Sequence, residues 1–468
     1  MDIKISFLGA AQNVTGSRHL IEINGTKILV DCGIYQERDF RHRNWDPFPV
    51  PPKDIDAMLL THAHLDHCGL VPKLVKEGFK GRIHCSEATA EISKIVMLDS
   101  AHIQEEDAKY KRKRHKRAGH TPPRPVEALY TQEDVYEVFP LFSPVRYRTD
   151  VRIAEGITAS FHEAGHILGA SMIKITASFD GQTRTILCSG DVGRGNRPIL
   201  KDPAVFEQAD YVLIESTYGD RVHASYTGVK DKFCKVINET MKAGGNLVIP
   251  SFSVERAQEI LYYVNELVIE KKIPRIMAFL DSPMAVKVTR VFKDHPELFD
   301  EEMAEMMKNH NSPFEFPGLK MTEKTADSKA INHIRGSVMI IAGSGMCTGG
   351  RIKHHLANNI QNPESTILFV GYQAFGTLGR RLVNGENPVR ILGEEMPVNA
   401  RIAKVNGFSG HADRNELLAW LEHLKTPPKH VFVVHGEKTA AKVFSNFVKE
   451  KTGWDVTVPE YNQTIILE

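Results

Sequence analysis

The chain has 468 residues, of which 42% are hydrophobic and 25% charged, with a formal net charge of +1. That length exceeds what one hydrophobic core usually fills, so two or three domains are expected, and no run of about eighteen uncharged apolar residues is present to span a membrane. The near-neutral charge excludes a globally basic field, so a polyanion would have to be met by local patches or by metal.

The six cysteines (Cys32, Cys68, Cys85, Cys188, Cys234 and Cys347) are scattered and form no C-x-x-C pair. This argues against a disulfide framework and against a thiolate zinc site, and it fits a reducing compartment. The opening Met1-Asp2-Ile3-Lys4 carries an acid and runs directly into a strand pattern, without the basic and apolar regions of an export signal. A cytoplasmic location is the expectation.

Ile3 to Leu8 alternates as a strand, and His19 to Asp31 splits around Asn24-Gly25, the dipeptide that supplies both positive-φ residues of a type I′ hairpin. After a Pro-rich turn, the short apolar strand Ile55 to Leu60 delivers Thr61-His62-Ala63-His64-Leu65-Asp66-His67 at its end. Strands are expected at Arg82 to Cys85, Ile157 to Phe161, Ser171 to Ile175 and Thr185 to Ser189, with a helix over about Ala88 to Arg117 between the first two. From about Tyr211 the pattern becomes apolar strands separated by helix-length segments: Tyr211 to Ile214, Asn246 to Pro250, Arg275 to Leu280, Ser337 to Ala342 and Thr366 to Gly371. Such alternation implies right-handed βαβ units and a mostly parallel sheet. From about Met396 strands ending in histidine return. The reading is therefore one domain formed by residues 1–208 and 396–468, interrupted by an inserted parallel α/β domain at 209–395.

Four metal-capable side chains fall in six residues: His62, His64, Asp66 and His67. Alternate residues of an extended loop point the same way, so His62 and His64 can converge on one ion while Asp66 and His67 turn toward a second, about 3.5 to 4 Å away. The alternative, a loop of solvated histidines, does not account for such density at a strand end. Further ligands should come from other strand ends, and His166, Asp191 and His435 stand at such places, Asp191 being suited to bridge both ions. Each alone is as readily a turn or core residue, so the argument rests on their joint occurrence. An N/O set without thiolates suits two Zn²⁺ per chain, and Mn²⁺ is compatible with the same ligands. Asp31 is a candidate acceptor for the N–H of a ligand histidine, or equally the first residue of the Asp31-Cys32-Gly33 turn.

On His62-x-His64-x-Asp66-His67, His166 and Asp191 the chain resembles the metallo-β-lactamase superfamily. Glu215 in Glu215-Ser216-Thr217-Tyr218-Gly219, His411 in Ser409-Gly410-His411-Ala412-Asp413, and His435 resemble the three further motifs of its β-CASP branch of nucleic-acid nucleases. The segments Ile249-Pro250-Ser251-Phe252-Ser253, Asp281-Ser282-Pro283-Met284-Ala285 and Gly376-Thr377-Leu378 add to that likeness. The resemblance implies a four-layer αββα metallo-β-lactamase sandwich with an inserted Rossmann-like parallel α/β domain. It implies one metal held by His62, His64 and His166, the other by Asp66, His67 and His435, with Asp191 shared. A histidine at the position of His435 is associated with RNA-acting members, whereas an aliphatic residue stands there in the DNA-repair branch.

The expected activity is hydrolysis of the phosphodiesters of single-stranded RNA, as endonuclease and/or 5′-to-3′ exonuclease, leaving 5′-phosphate products. The alternatives are a DNA nuclease of the same superfamily and a small-molecule metallo-hydrolase such as a thioesterase or lactonase. A homodimer is compatible with this reading. Asp66, Glu215 and His411 are the expected catalytic residues, with His411 as general acid held protonated by Glu215. Asp413 is assigned instead to a capping box with Glu416. The turn from Gly343 to Gly350, between a strand and a helix, nominates Ser344, Gly345, Gly349 and Arg351 for phosphate binding. The basic run from Lys109 to Arg117 is read two ways, as a guide for an RNA backbone or as a solvated helix face with i,i+4 pairs Glu105–Lys109 and Asp107–Lys111.

Overall fold

The computed structural model describes residues 1–118, 126–223 and 228–468. The chain divides into two compact units, one formed by Met1–Gly195, Asp202–Val222 and His411–Glu468, the other by Asn196–Lys201 and His223–Gly410.

The first unit holds two seven-stranded sheets. One is ordered Gln463–Leu467, Ile3–Gly9, Arg18–Ile23, Thr26–Val30, Ala57–Leu59, Arg82–Ser86 and Phe142–Val145. Its hairpin turns at Asn24 and Gly25, whose φ values of 46° and 90° are those the type I′ turn needs. The other runs Val456–Thr457, His430–Val433, Tyr211–Ile214, Gln182–Cys188, Ser171–Phe179, Ile157–Glu163 and Asp150–Ala154. Alternation along the strands puts Ile5, Phe7, Ile21, Phe161, Ile173, Ile175, Leu213 and Phe432 into one buried cluster between the sheets. The opposite residues of the first sheet, Leu8, Leu20, Leu29 and Met58, pack with Leu74, Met97 and Ala101 of the helices Val71–Lys76 and Glu87–Arg117. With the helix Lys438–Thr452 against His430–Val433 and Val456–Thr457 of the second sheet, helix, sheet, sheet and helix layers result, as the resemblance implied.

The second unit is built on six strands ordered Leu319–Met321, Met277–Leu280, Val338–Ala342, Leu247–Pro250, Thr366–Phe369 and Arg401–Lys404, all paired in parallel. Their middle strands are buried on both faces, as parallel strands between helices must be.

Two strands lie elsewhere than the sequence reading puts them. Tyr211–Ile214, assigned to the insert, pairs in parallel with Gln182–Cys188 and His430–Val433 in the first unit. Arg401–Lys404, assigned to the returning domain, pairs with Thr366–Phe369 in the second. A four-residue apolar strand carries no mark of which parallel sheet it joins, because burial on both faces erases the alternation. The helix Glu87–Arg117 falls where expected, but Lys109 pairs with Glu106 at 2.7 Å rather than with Glu105, which accepts from Gln132.

Candidate metal centre

The strand Ala57–Leu59 ends at a loop held by Asp31. Asp31, buried and held at a φ of 60°, accepts from Thr61 N at 2.8 Å and from Thr61 Oγ1 at 2.9 and 3.0 Å. The helix Leu65–Cys68 then begins at once and turns Asp66 and His67 back toward the same place. Gly33 makes this approach possible, since a Cβ there would lie 1.6 Å from the Asp66 carbonyl oxygen.

His62, His64, His166 and Asp191 bring ligand atoms within 4.8 Å of one another, as do Asp66, His67 and His435. His64 Nδ1 is 3.1 Å from both His62 Nε2 and His166 Nε2, and His67 Nε2 is 3.0 Å from His435 Nε2. In a tetrahedral zinc site with bonds of about 2.0 to 2.1 Å, neighbouring nitrogens stand about 3.3 Å apart, so these separations are close to the edges of a coordination polyhedron. Asp191 reaches both groups: Oδ2 lies 3.4 Å from His62 Nε2 and from His166 Nε2, and Oδ1 lies 3.3 Å from His67 Nε2. That Oδ1 is buried and accepts no hydrogen bond among the described residues. An unsatisfied carboxylate oxygen among converging imidazole nitrogens is costly without a cation, and the donor set fits a divalent metal.

Orientation of the imidazoles comes from their outer nitrogens. His67 Nδ1 donates to Asp31 Oδ2 at 2.7 Å, which leaves Nε2 facing inward. His435 lies just beyond the strand His430–Val433 at a φ of 49°, fixed by its N–H on the Ala10 carbonyl at 2.7 Å and by Thr217 Oγ1, 3.1 Å from its Nδ1. Left-handed backbone at a non-glycine residue stores strain of about 1–3 kcal/mol and persists where such contacts over-determine it. Burial, then repulsion from His62, pushes His64 down to about 3, and burial with the neighbouring His411 lowers His166 well below its ordinary value. Both are neutral imidazoles, the form that binds metal. For His67 and His435 burial also opposes charge, but Asp191 with Asp31 or Asp66 outweighs it and raises both.

Glu215 is fully buried and follows the strand Tyr211–Ile214. Its Oε1 accepts from Val192 N at 2.7 Å, and His411 Nδ1 lies 3.1 and 3.2 Å from its two oxygens. His411 also lies 3.8 Å from Asp191 Oδ2, with its ring centroid 4.5 Å from that of His166. Burial disfavours its charge, but Glu215 and then Asp191 prevail and hold it up at about 9. Asp413 caps the helix Arg414–Leu421 reciprocally with Glu416, the role expected of it.

Three family descriptions match this chain: a metallo-beta-lactamase superfamily domain over residues 20–189, a Beta-Casp domain over 257–382, and a Zn-dependent metallo-hydrolase RNA specificity domain over 395–459. Ribonuclease TTHA0252 of Thermus thermophilus is 38% identical over 93% of this chain and 94% of its own length. The chain belongs to the β-CASP branch of the metallo-β-lactamase superfamily. The transcription termination factor FttA of Methanocaldococcus jannaschii is 30% identical over 96% of this chain and 69% of its own length. A crystal structure titled as a protein of unknown function from Enterococcus faecalis V583 shares the fold, with a TM-score of 0.57 at 12% identity and full coverage of both chains.

Within the β-CASP unit the glycine-rich turn differs from its expected role. Ser344 Oγ accepts from Thr348 N at 3.0 Å and Gly349 N at 3.3 Å, so it closes the loop on itself. Gly345 offers its carbonyl to Gln373 Nε2 at 3.0 Å. Arg351 is turned inward, onto Asp281 Oδ1 at 2.7 Å and the carbonyls of Thr322 and Glu323. Its guanidinium anchors the loop instead of reaching out for a phosphate. Asp281 also takes His355, Thr322 and Ser328. Sequence reasoning missed Thr61 and Thr217, which orient ligand imidazoles; the one available signal was their position, immediately before His62 and two residues after Glu215.

Proposed function

We propose that this chain is a two-zinc ribonuclease that hydrolyses RNA phosphodiester bonds and leaves 5′-phosphate products. His62, His64 and His166 would hold one ion, Asp66, His67 and His435 the other, with Asp191 shared between them. Metal ions bound there supply Lewis acidity at the phosphoryl group and a water acidic enough to be a nucleophile near neutral pH.

The observation that carries this reading is the Glu215–His411 pair, 3.1 Å apart and beside Asp191. With Nδ1 held by Glu215, the proton His411 can pass on is the one on Nε2, and the departing 3′ oxygen is the group that needs it. Glu215 keeps the imidazole charged and fixes its plane. Asp66, whose burial is outweighed by hydrogen bonding from His435, is kept ionised and can accept a hydrogen bond from the attacking water. Two similarities support RNA over DNA or a small ester: the RNA specificity description that spans His411 and His435, and the similarity to the Thermus ribonuclease. A cytoplasmic setting belongs to the same proposal and is supported by six cysteines that are all unpaired. No helix among the described residues is long and apolar enough to cross a membrane.

The test is cleavage of end-labelled single-stranded RNA by wild type and His411→Ala, with metal content measured on both. The variant should retain its zinc and lose about 10²- to 10⁴-fold in rate. Wild-type cleavage rates in the variant would remove the assignment, and cleavage of DNA but not RNA would remove the substrate.

A further inference from the structure

Among the described residues, Phe375 is the most exposed large apolar side chain, at 97%, and two further exposed aromatics, Tyr372 at 49% and Phe252 at 44%, belong to the same sheet edge. All three lie on loops that leave the C-terminal ends of parallel strands, Phe252 after Leu247–Pro250 and the other two after Thr366–Phe369. That edge of an open parallel sheet is where ligands are bound in α/β folds.

The loop is not a loose tip. Gln373 is buried between Tyr372 and Phe375, donating from Nε2 to the carbonyls of Gly345 at 3.0 Å and Gly371 at 3.3 Å. The turn is closed by Thr377, which donates from Oγ1 to the Ala374 carbonyl at 2.7 Å and caps the next helix, Leu378–Val383. Phe375 therefore stands at the apex of a pinned turn with its ring in water. Phe252 packs its edge over Gly345, the residue whose carbonyl holds Gln373, so the two loops share one anchor. Neither Phe252, Tyr372 nor Phe375 makes a ring contact with another aromatic among the described residues, and the Phe375 ring is almost wholly in water. Arg380, with Nη1 3.5 Å from the Gln373 carbonyl, pairs with no carboxylate among the described residues.

We propose that Phe375, with Tyr372 and Phe252, is a stacking platform for the bases of single-stranded RNA, with Arg380 placed to meet the backbone. This rests on the ribonuclease reading and adds to it a binding site that the metal centre does not contain. The chemistry favours bases over an apolar protein surface, because the rings are separate, rigidly presented and set beside a cation rather than joined in an aliphatic patch. Stacking platforms discriminate weakly between sequences but reward purines, whose larger rings cover more of the aromatic face.

Steady-state cleavage of fluorescent oligoadenylate and oligouridylate by the full metal-loaded chain tests it. Phe375→Ala should raise KM for oligoadenylate by about five- to a hundredfold while kcat is unchanged, and should narrow the preference for oligoadenylate over oligouridylate. Phe375→Trp should restore both. Tyr372→Ala should act in the same direction. If wild type cleaves RNA and Phe375→Ala matches it in KM for both substrates, the platform is refuted while the ribonuclease reading stands. If wild type cleaves neither, both fall. If Phe375→Ala instead abolishes self-association in sedimentation and leaves KM untouched, the ring is a contact between copies and the proposal is overturned.

Discussion

His67 and Asp31 meet through an Nδ1 to Oδ2 contact of 2.7 Å, with both side chains sealed from solvent. The same carboxylate takes the N–H and hydroxyl of Thr61, whose Oγ1 lies 3.1 Å from His62 Nδ1, so one buried group orients a ligand of each proposed metal. Asp31→Ala should weaken metal binding about 10- to 100-fold in a chelator competition. An unchanged affinity would show that the first histidine cluster is positioned without it.

The Glu215–His411 pair makes a prediction about pH. A general acid works only while protonated, so activity is present below the pKa of His411 and is lost as pH rises through it. Burial would lower that pKa, and Glu215 is the largest of the influences that raise it to about 9. Glu215→Gln should therefore move the alkaline limb of the kcat/KM profile to lower pH and reduce the neutral rate roughly 10²-fold. A limb that stays in place would take the proton from another group.

The two halves of the centre should also respond differently to acid. His64 and His166 are depressed, so no proton competes with a metal at their nitrogens as pH falls through the neutral range. His67 and His435 are raised above the ordinary 6.5, so a metal on that side must displace protons. Calorimetric zinc titrations at about pH 8 and about pH 6 should show one binding step weakening and the other nearly constant. Equal weakening of both steps would contradict the assignment of ligands to halves.

Gly33 sits where its missing side chain matters. A Cβ would fall 1.6 Å from the Asp66 carbonyl oxygen and 2.8 Å from His67 N. Gly33→Ala must push the short ligand helix away, and it should cost about 1–3 kcal/mol in chemical denaturation while lowering metal content. A variant with wild-type stability and metal would mean the backbone can give there freely.

How much of this was legible in the sequence depended on how densely the signal was packed. His62, His64, Asp66 and His67 announce themselves because four potential ligands in six residues have no common structural explanation. His166, Asp191 and His435 are each weak, since a strand-end polar residue is ordinary; only the fold shows their atoms meeting. Asp31 was balanced between turn and acceptor, and it is both, with a φ of 60° and a bond to His67. A glycine-rich turn before a helix looks like an anion site, whereas the Arg351 charge is taken by the buried carboxylate of Asp281, seventy residues away in the chain. Such long-range pairing leaves no local pattern. Tyr211–Ile214 and Arg401–Lys404 pair in the other unit for a related reason: strand partners are chosen by the whole sheet.

The residues at these separate strand ends are proposed to enclose a pair of metal ions. An anomalous-difference map at the zinc edge, from crystals of the native chain, tests it directly. Two peaks about 3.5–4 Å apart are expected, one against His62, His64 and His166 and the other against Asp66, His67 and His435, with Asp191 touching both. A map with no peak there, or with a single peak and an untouched second histidine group, would contradict the account.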